Sequence, residues 1–269
     1  MLIKRIITAL ILAPIAIACV FFLPLLQFQA FLVIVLSLAA WEWANLAGYE
    51  DAHRVLYAFV MLIFYAASTL VDPLFVLVPG VLWWLVAFVL VLKYPGFTGL
   101  WASKTARSII GIFMLVPGYV GLCQLKQTAD SEFLILLLFF LIWGADIGAY
   151  FSGRAFGNKK LAPAVSPGKS WAGVYGGIFF ATLVAIGMCI WQGKPELMAP
   201  RGIAFILACV AIIMISVLGD LVESMFKRHR GVKDSSALLP GHGGILDRID
   251  SLLSAAPAFA LFILIYGWQ

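Results

Sequence analysis

Nine stretches of this chain run for close to twenty residues with almost no charge, and this limits the possible folds more than any other feature. A helix rises 1.5 Å per residue, so about 20 apolar residues cross the ~30 Å hydrocarbon core of a bilayer. The stretches cover residues 6–24, 28–47, 54–71, 74–92, 106–126, 132–151, 172–192, 202–222 and 249–267. Of the 269 residues, 64% are hydrophobic and 12% charged, about half the charged fraction of a soluble domain. No polar stretch is long enough to build a large soluble domain. In lipid, backbone N–H and C=O groups must be satisfied within the protein, which favours helices. The expectation is an all-α polytopic membrane protein of about nine transmembrane helices.

The opening MLIKRIITALILAPIAIACVFF resembles a signal peptide, and AIAC faintly resembles a lipoprotein cleavage box. The apolar run continues past Cys19, so a retained first span is expected. Only a few residues separate the first two stretches, which leaves a re-entrant pair open. Pro24, Asp72-Pro73 and Gly193-Lys194-Pro195 punctuate the joints. The four cysteines (Cys19, Cys123, Cys189, Cys209) stand singly in apolar runs and read as packing residues.

Basic residues set the orientation. With the N-terminus inside, the loops after the second, fourth, sixth and eighth stretches share the cytoplasmic side. Of the 18 Lys and Arg, only Lys126, Lys194 and Arg201 then fall on the other side. This asymmetry accounts for the net charge of +5 as an orientation signal and not as a nucleic-acid surface.

Two polar segments on that side, 143–173 and 220–250, are more than connectors. In LGDLVES, Asp220 and Glu223 are three apart at the end of the eighth stretch; in LDRID, Asp247 and Asp250 are three apart at the start of the ninth. That spacing places each pair on one helical face. Carboxylates clustered near hydrocarbon call for a cation. Oxygen-only ligands suit Mg²⁺, and a second cation is possible. Solvated ion pairs with Arg228 and Arg248 are the plainer alternative. Lys227, Arg228 and Lys233 can hold phosphate oxygens, Arg by a bidentate fork and Lys as a point charge. PGHGG supplies Gly241, Gly243 and Gly244, whose backbone can turn N–H groups toward an anion, with His242 beside them.

In WGADIGAYF, Asp146 is an intramembrane carboxylate, functional or else paired with Arg154. SPGKS offers Ser166, Lys169 and Ser170 just before a span, where a helix N-terminus favours phosphate; it lacks the full P-loop spacing. Gly173, Gly176 and Gly177 read as close helix contacts. Glu42, between Trp41 and Trp43, is equally open to a structural or a functional reading.

The stretch SMFKRHRGVKDSSALLPGHGGILDRID (224–250) resembles the signature of the phosphatidate cytidylyltransferases, also known as CDP-diacylglycerol synthases. Ser224, Lys227-Arg228, Lys233-Asp234, Pro240, His242-Gly243-Gly244 and Asp247-Arg248-x-Asp250 all meet it. WGADIGAYFSGRAFG and SPGKSWAG are similar to two further family blocks. Ala172 departs from the pattern where an acid is expected. The resemblance covers the C-terminal half; the first 100 residues match only in apolar character. It implies an N-terminal set of transmembrane helices (1–100) and a C-terminal catalytic region (101–269). It also implies CTP and phosphatidate as substrates, CDP-diacylglycerol and diphosphate as products, Mg²⁺, a site at the cytoplasmic membrane face, and a homodimer by analogy. Arg248 joins the catalytic set on this ground. A bacterial inner membrane is the expected location. Two rivals remain. An intramembrane prenyltransferase would use D-x-x-D with Mg²⁺ but leaves the basic, Gly-rich centre unexplained. A transporter would show paired broken helices, and no such symmetry is present.

Overall fold

The computed structural model describes residues 14–193 and 200–267. The start of the first apolar stretch, with Lys4 and Arg5, lies outside the described residues, as do Lys194 and the side chain of Arg201. The elements are α1 (14–22), α2 (Leu25–Ala47), α3 (Asp51–Ser68), α4 (Leu74–Lys93), a 3₁₀ turn (Thr98–Leu100), α5 (Lys104–Gln127), α6 (Ser131–Phe156), strands β1 (Lys160–Ala162) and β2 (Ser166–Ser170), α7 (Trp171–Trp191), α8 (Pro200–Arg230) and α9 (Leu246–Tyr266). Each apolar stretch that is described became a helix. Seven helices, α2 and α4–α9, are long and apolar enough to cross a bilayer. The protein is therefore an integral, multi-pass, all-α membrane protein. Among the described residues, α1 is short, and α3 opens with Asp51, His53 and Arg54, so neither joins the seven.

Local chemistry sets the ends. Ser103 caps α5 by accepting from Ala106 N at 3.1 Å, and α2 stops at Gly48, whose φ of 92° few other residues adopt. The helices then pack closely through small residues. A Cβ on Gly177 of α7 would stand 2.7 Å from the Ala145 carbonyl of α6, so the backbones approach as the glycine stripe predicts. α5 is largely buried and packs against α2, α4 and α9.

Two features depart from the sequence reading. The eighth helix does not stop at residue 222; its 31 residues extend about 46 Å, well beyond the hydrocarbon core. Lys227 to Arg230 form its last turn, where cations face the negative end of the helix dipole favourably. The 157–170 segment also folds into a small antiparallel hairpin, with Lys160 opposite Ser170 and Ala162 opposite Ser166. Pro163 and Pro167 bar a helix there, and buried Val165 anchors the turn.

The basic connections meet at one end of the bundle. Arg107 Nη1 at the start of α5 donates to Leu46 O at 3.0 Å, and Arg230 Nε of α8 to Asn45 O at 3.1 Å. Arg228 Nε donates to Val165 O of the hairpin at 3.2 Å. Trp101, before α5, packs edge-on against Phe226 and His229 of α8.

Candidate active site

Asp220, Glu223 and Lys227 follow at i, i+3 and i+7 on α8, which stacks them along one face. Gly219 lets α9 close on that face: a Cβ there would lie 2.6 Å from Asp250 O. Asp250 is thereby buried beside the fully buried Glu223, in electrostatic contact with it and with Asp220. Lys227 Nζ holds the cluster together, 2.7 Å from Glu223 Oε2 and 2.6 Å from Asp247 Oδ1. Asp220 Oδ2 lies 2.7 Å from Lys169 Nζ of β2, and its Oδ1 accepts from Ser224 Oγ at 3.2 Å. Two segments far apart in the chain thus share one ion pair, Lys169 with Asp220. Asp220, Glu223 and Asp247 each have an ammonium partner, which offsets the cost of burying them, whereas Asp250 Oδ1 accepts from the Ser251 N–H at 2.6 Å.

Beside this pair, a cavity of ≈ 380 Å³ opens between α6, α7, β2 and α8. Asp146, Arg154, Lys169 and Ser170 line it. Asp146 is exposed in this space and lies in the field of Lys169, Asp220 and Arg248. Its expected plain partner, Arg154, instead donates to Tyr150 Oη at 3.4 Å.

The loop 231–245 is organised around two carboxylates. Asp247 Oδ2 accepts from Ser235 N at 2.9 Å, Ser235 Oγ at 2.9 Å and Gly244 N at 2.7 Å. Of the glycines expected to turn N–H groups toward an anion, Gly244 donates to the protein's own Asp247. Gly243 has φ +85°, and a Cβ on Gly244 would meet Glu42 Oε1 at 2.5 Å, so both positions demand glycine. Arg248 donates from Nε (3.1 Å) and Nη2 (2.7 Å) to His242 O, closing the loop on itself. His242 Nδ1 is buried with no hydrogen-bond partner. Ser170 Oγ caps α7 by accepting from Gly173 N at 3.2 Å, so this hydroxyl is already engaged. Ser166 begins β2, and Lys233 is exposed on the loop.

The second carboxylate is Glu42, whose role the sequence left open. It is fully buried on α2, accepts from Ser236 Oγ at 2.5 Å, Ile245 N at 3.0 Å and Leu246 N at 2.6 Å, and shares with Asp247 the single proton of Ser235 Oγ, 3.2 Å away. It therefore caps α9 from another helix and ties down the loop at both ends. Asn45 Nδ2 adds a bond to Ser235 O at 3.2 Å. Sequence reasoning missed Ser235, Ser236 and Asn45; the available signal was an acid flanked by two Trp in an apolar span.

The donors fit a hard divalent cation in kind. They are all carboxylate oxygens, and Glu223 Oε1 is buried with no hydrogen-bond donor. They are not a finished cage: among the described residues, no three His, Cys, Asp or Glu side chains stand together as ready-made metal ligands. Lys227 and Lys169 neutralise the oxygens a cation would take. Asp247 has least to spare, because Oδ2 already accepts three bonds.

Comparison with known proteins gives the family. The model of the cytidylyltransferase family matches residues 3–266. A Pseudomonas aeruginosa protein named phosphatidate cytidylyltransferase is 47% identical, over 100% of this chain and 99% of its own length. A Haemophilus influenzae protein of the same name is 40% identical over 97% of this chain and 98% of its own. With Asp220, Lys227, Asp247 and the Gly243-Gly244 turn gathered at one end of the bundle, the chain belongs to the cytidylyltransferase family.

Proposed function

We propose that this protein transfers the cytidylyl group of CTP to phosphatidate, giving CDP-diacylglycerol and diphosphate for phospholipid synthesis. The observation that carries this reading is the full-length similarity to proteins of that activity. The charge cluster built from α8, α9 and the hairpin supports it.

The lipid phosphate is already ionised, so no strong base is required. One of its oxygens forms a bond to the α-phosphorus of CTP. The bond from that phosphorus to the bridging oxygen of the diphosphate breaks, and the diphosphate leaves with the electron pair. The task of the protein is to bring two anions into line and neutralise the charge that grows on the leaving group. Lys169, which lines the cavity, would do this, supported by Lys227 between Glu223 and Asp247. Arg228 and Lys233 extend the basic surface, and Arg248 with His242, Gly243 and Gly244 keeps the loop in shape. Asp146 and Ser170 border the cavity that would take substrate, and Ser166 opens the strand that carries Lys169 and Ser170 to it.

Asp220, Glu223 and Asp250, with Asp247 Oδ1, would hold Mg²⁺. When bound, the ion would neutralise phosphate charge and orient the polyphosphate. We place the protein in the bacterial inner membrane, with the site at the cytoplasmic face, and expect a homodimer.

The test uses purified protein with CTP plus phosphatidate, and separately with a prenyl diphosphate plus an aromatic acceptor. Diphosphate release only in the first assay is expected. Release only in the second would overturn the reading in favour of a prenyltransferase. Arg228→Lys keeps the charge but loses the planar fork. It should lower turnover in the first assay by about 30- to 1000-fold, the effect of losing one contact that strengthens in the transition state.

A further inference from the structure

Residues of α2 and α3, with Leu238 of the loop, line a groove of ≈ 600 Å³. Val33, Leu38, Phe59 and Leu62 line its length, and Trp41 with Leu238 of the loop closes one end. At that end Arg54 is stacked on Trp41, its guanidinium carbon 3.5 Å from the ring centroid, and Arg54 Nε donates to Trp41 O at 3.2 Å. The nearest carboxylates, Glu42 and Asp51, act on Arg54 through space. Glu42 is already committed to four donors, and among the described residues Arg54 makes no ion pair. One helical turn deeper, Ser37 lines the groove, and its buried hydroxyl has no hydrogen-bond partner.

We propose that this groove binds an anionic phospholipid other than the one that reacts. The three features follow the order of the lipid's own chemistry. A half-buried cation meets the phosphate. A free hydroxyl about 6 Å deeper, at helical rise, meets a glycerol ester oxygen, and an apolar channel takes one acyl chain. A flat annular surface would offer neither the concave channel nor polar groups in this order. Lys169, Asp220, Lys227 and Asp247 are all absent from the lining of this groove, so a lipid seated in it is not in the charge cluster.

The full chain in neutral detergent is equilibrated with phosphatidylglycerol or with phosphatidylcholine of the same acyl chains, and retained lipid is counted by native mass spectrometry. Wild type should retain phosphatidylglycerol preferentially. Arg54→Gln should weaken that retention about fivefold, as expected for one basic residue at a lipid surface. Leu62→Trp, which fills the channel, should abolish it. Equal retention of both lipids by wild type and Arg54→Gln would overturn the proposal, and this comparison stands even where Leu62→Trp misfolds. So would a several-fold rise in the KM for phosphatidate on Leu62→Trp without added phosphatidylglycerol, because the groove would then serve the reacting lipid. Lipid retention is read without turnover, so it can fail while the cytidylyl-transfer assay succeeds.

Discussion

Glu42 shows how one residue far from a signature can determine its shape. Four donors from the loop and the start of α9 converge on its carboxylate, which stays buried because every lone pair facing them is used. Glu42→Gln would turn an amide N–H₂ toward groups that are themselves donors. We expect a loss of about 1.5–3 kcal/mol, the worth of a hydrogen bond to a charged group, read by thermal unfolding. Turnover should fall along with it, because the Gly244 turn and Ser235 lose their second anchor. An unfolding midpoint equal to wild type would remove Glu42 from this role. Its chemical oddity was legible in the sequence, but its partners were not. The bond to Ser235 joins positions 193 apart, and only the packing of α2 against α8 and α9 brings them together.

Helix contacts convert the sequence pattern into a site. The i,i+3 carboxylates were readable because periodicity alone puts them on one face. Their meeting across helices depends on Gly219, which the pattern did not single out. Adding a methyl group there would place it 2.6 Å from Asp250 O, between α8 and α9. Gly219→Ala should therefore cost about 1–3 kcal/mol by overpacking and should reduce activity by shifting Asp220 relative to Lys169. Gly187→Ala on α7, where a Cβ meets nothing within 4 Å, is the matched control and should leave both unchanged. Equal effects of the two would deny the close α8–α9 contact its part. The extension of α8 to Arg230 escaped the sequence reading because hydropathy marks where lipid ends, and a basic, well-formed helix can continue past that point. The hairpin escaped it because its residues were read as a lead into the next helix.

Over the whole molecule, three of the basic residues assigned to one side by charge asymmetry, Arg107, Arg228 and Arg230, bind carbonyls of neighbouring segments. We expect that side to be cytoplasmic, with the C-terminus outside. Ala237 is exposed on the loop that carries the signature, which suits it to a labelling test. In a variant without native cysteines, Ala237→Cys should react with a membrane-impermeant thiol reagent only after cells are opened, and Gly267→Cys in intact cells. Labelling of both from one side would remove either the span count or the orientation. The transfer itself is read from the fate of a label. Purified protein is given phosphatidate with CTP labelled at either the α- or the γ-phosphorus. The α-label is expected to enter the lipid and the γ-label to leave as diphosphate, in equal amounts. A γ-label in the lipid, or no label there at all, would contradict this transfer.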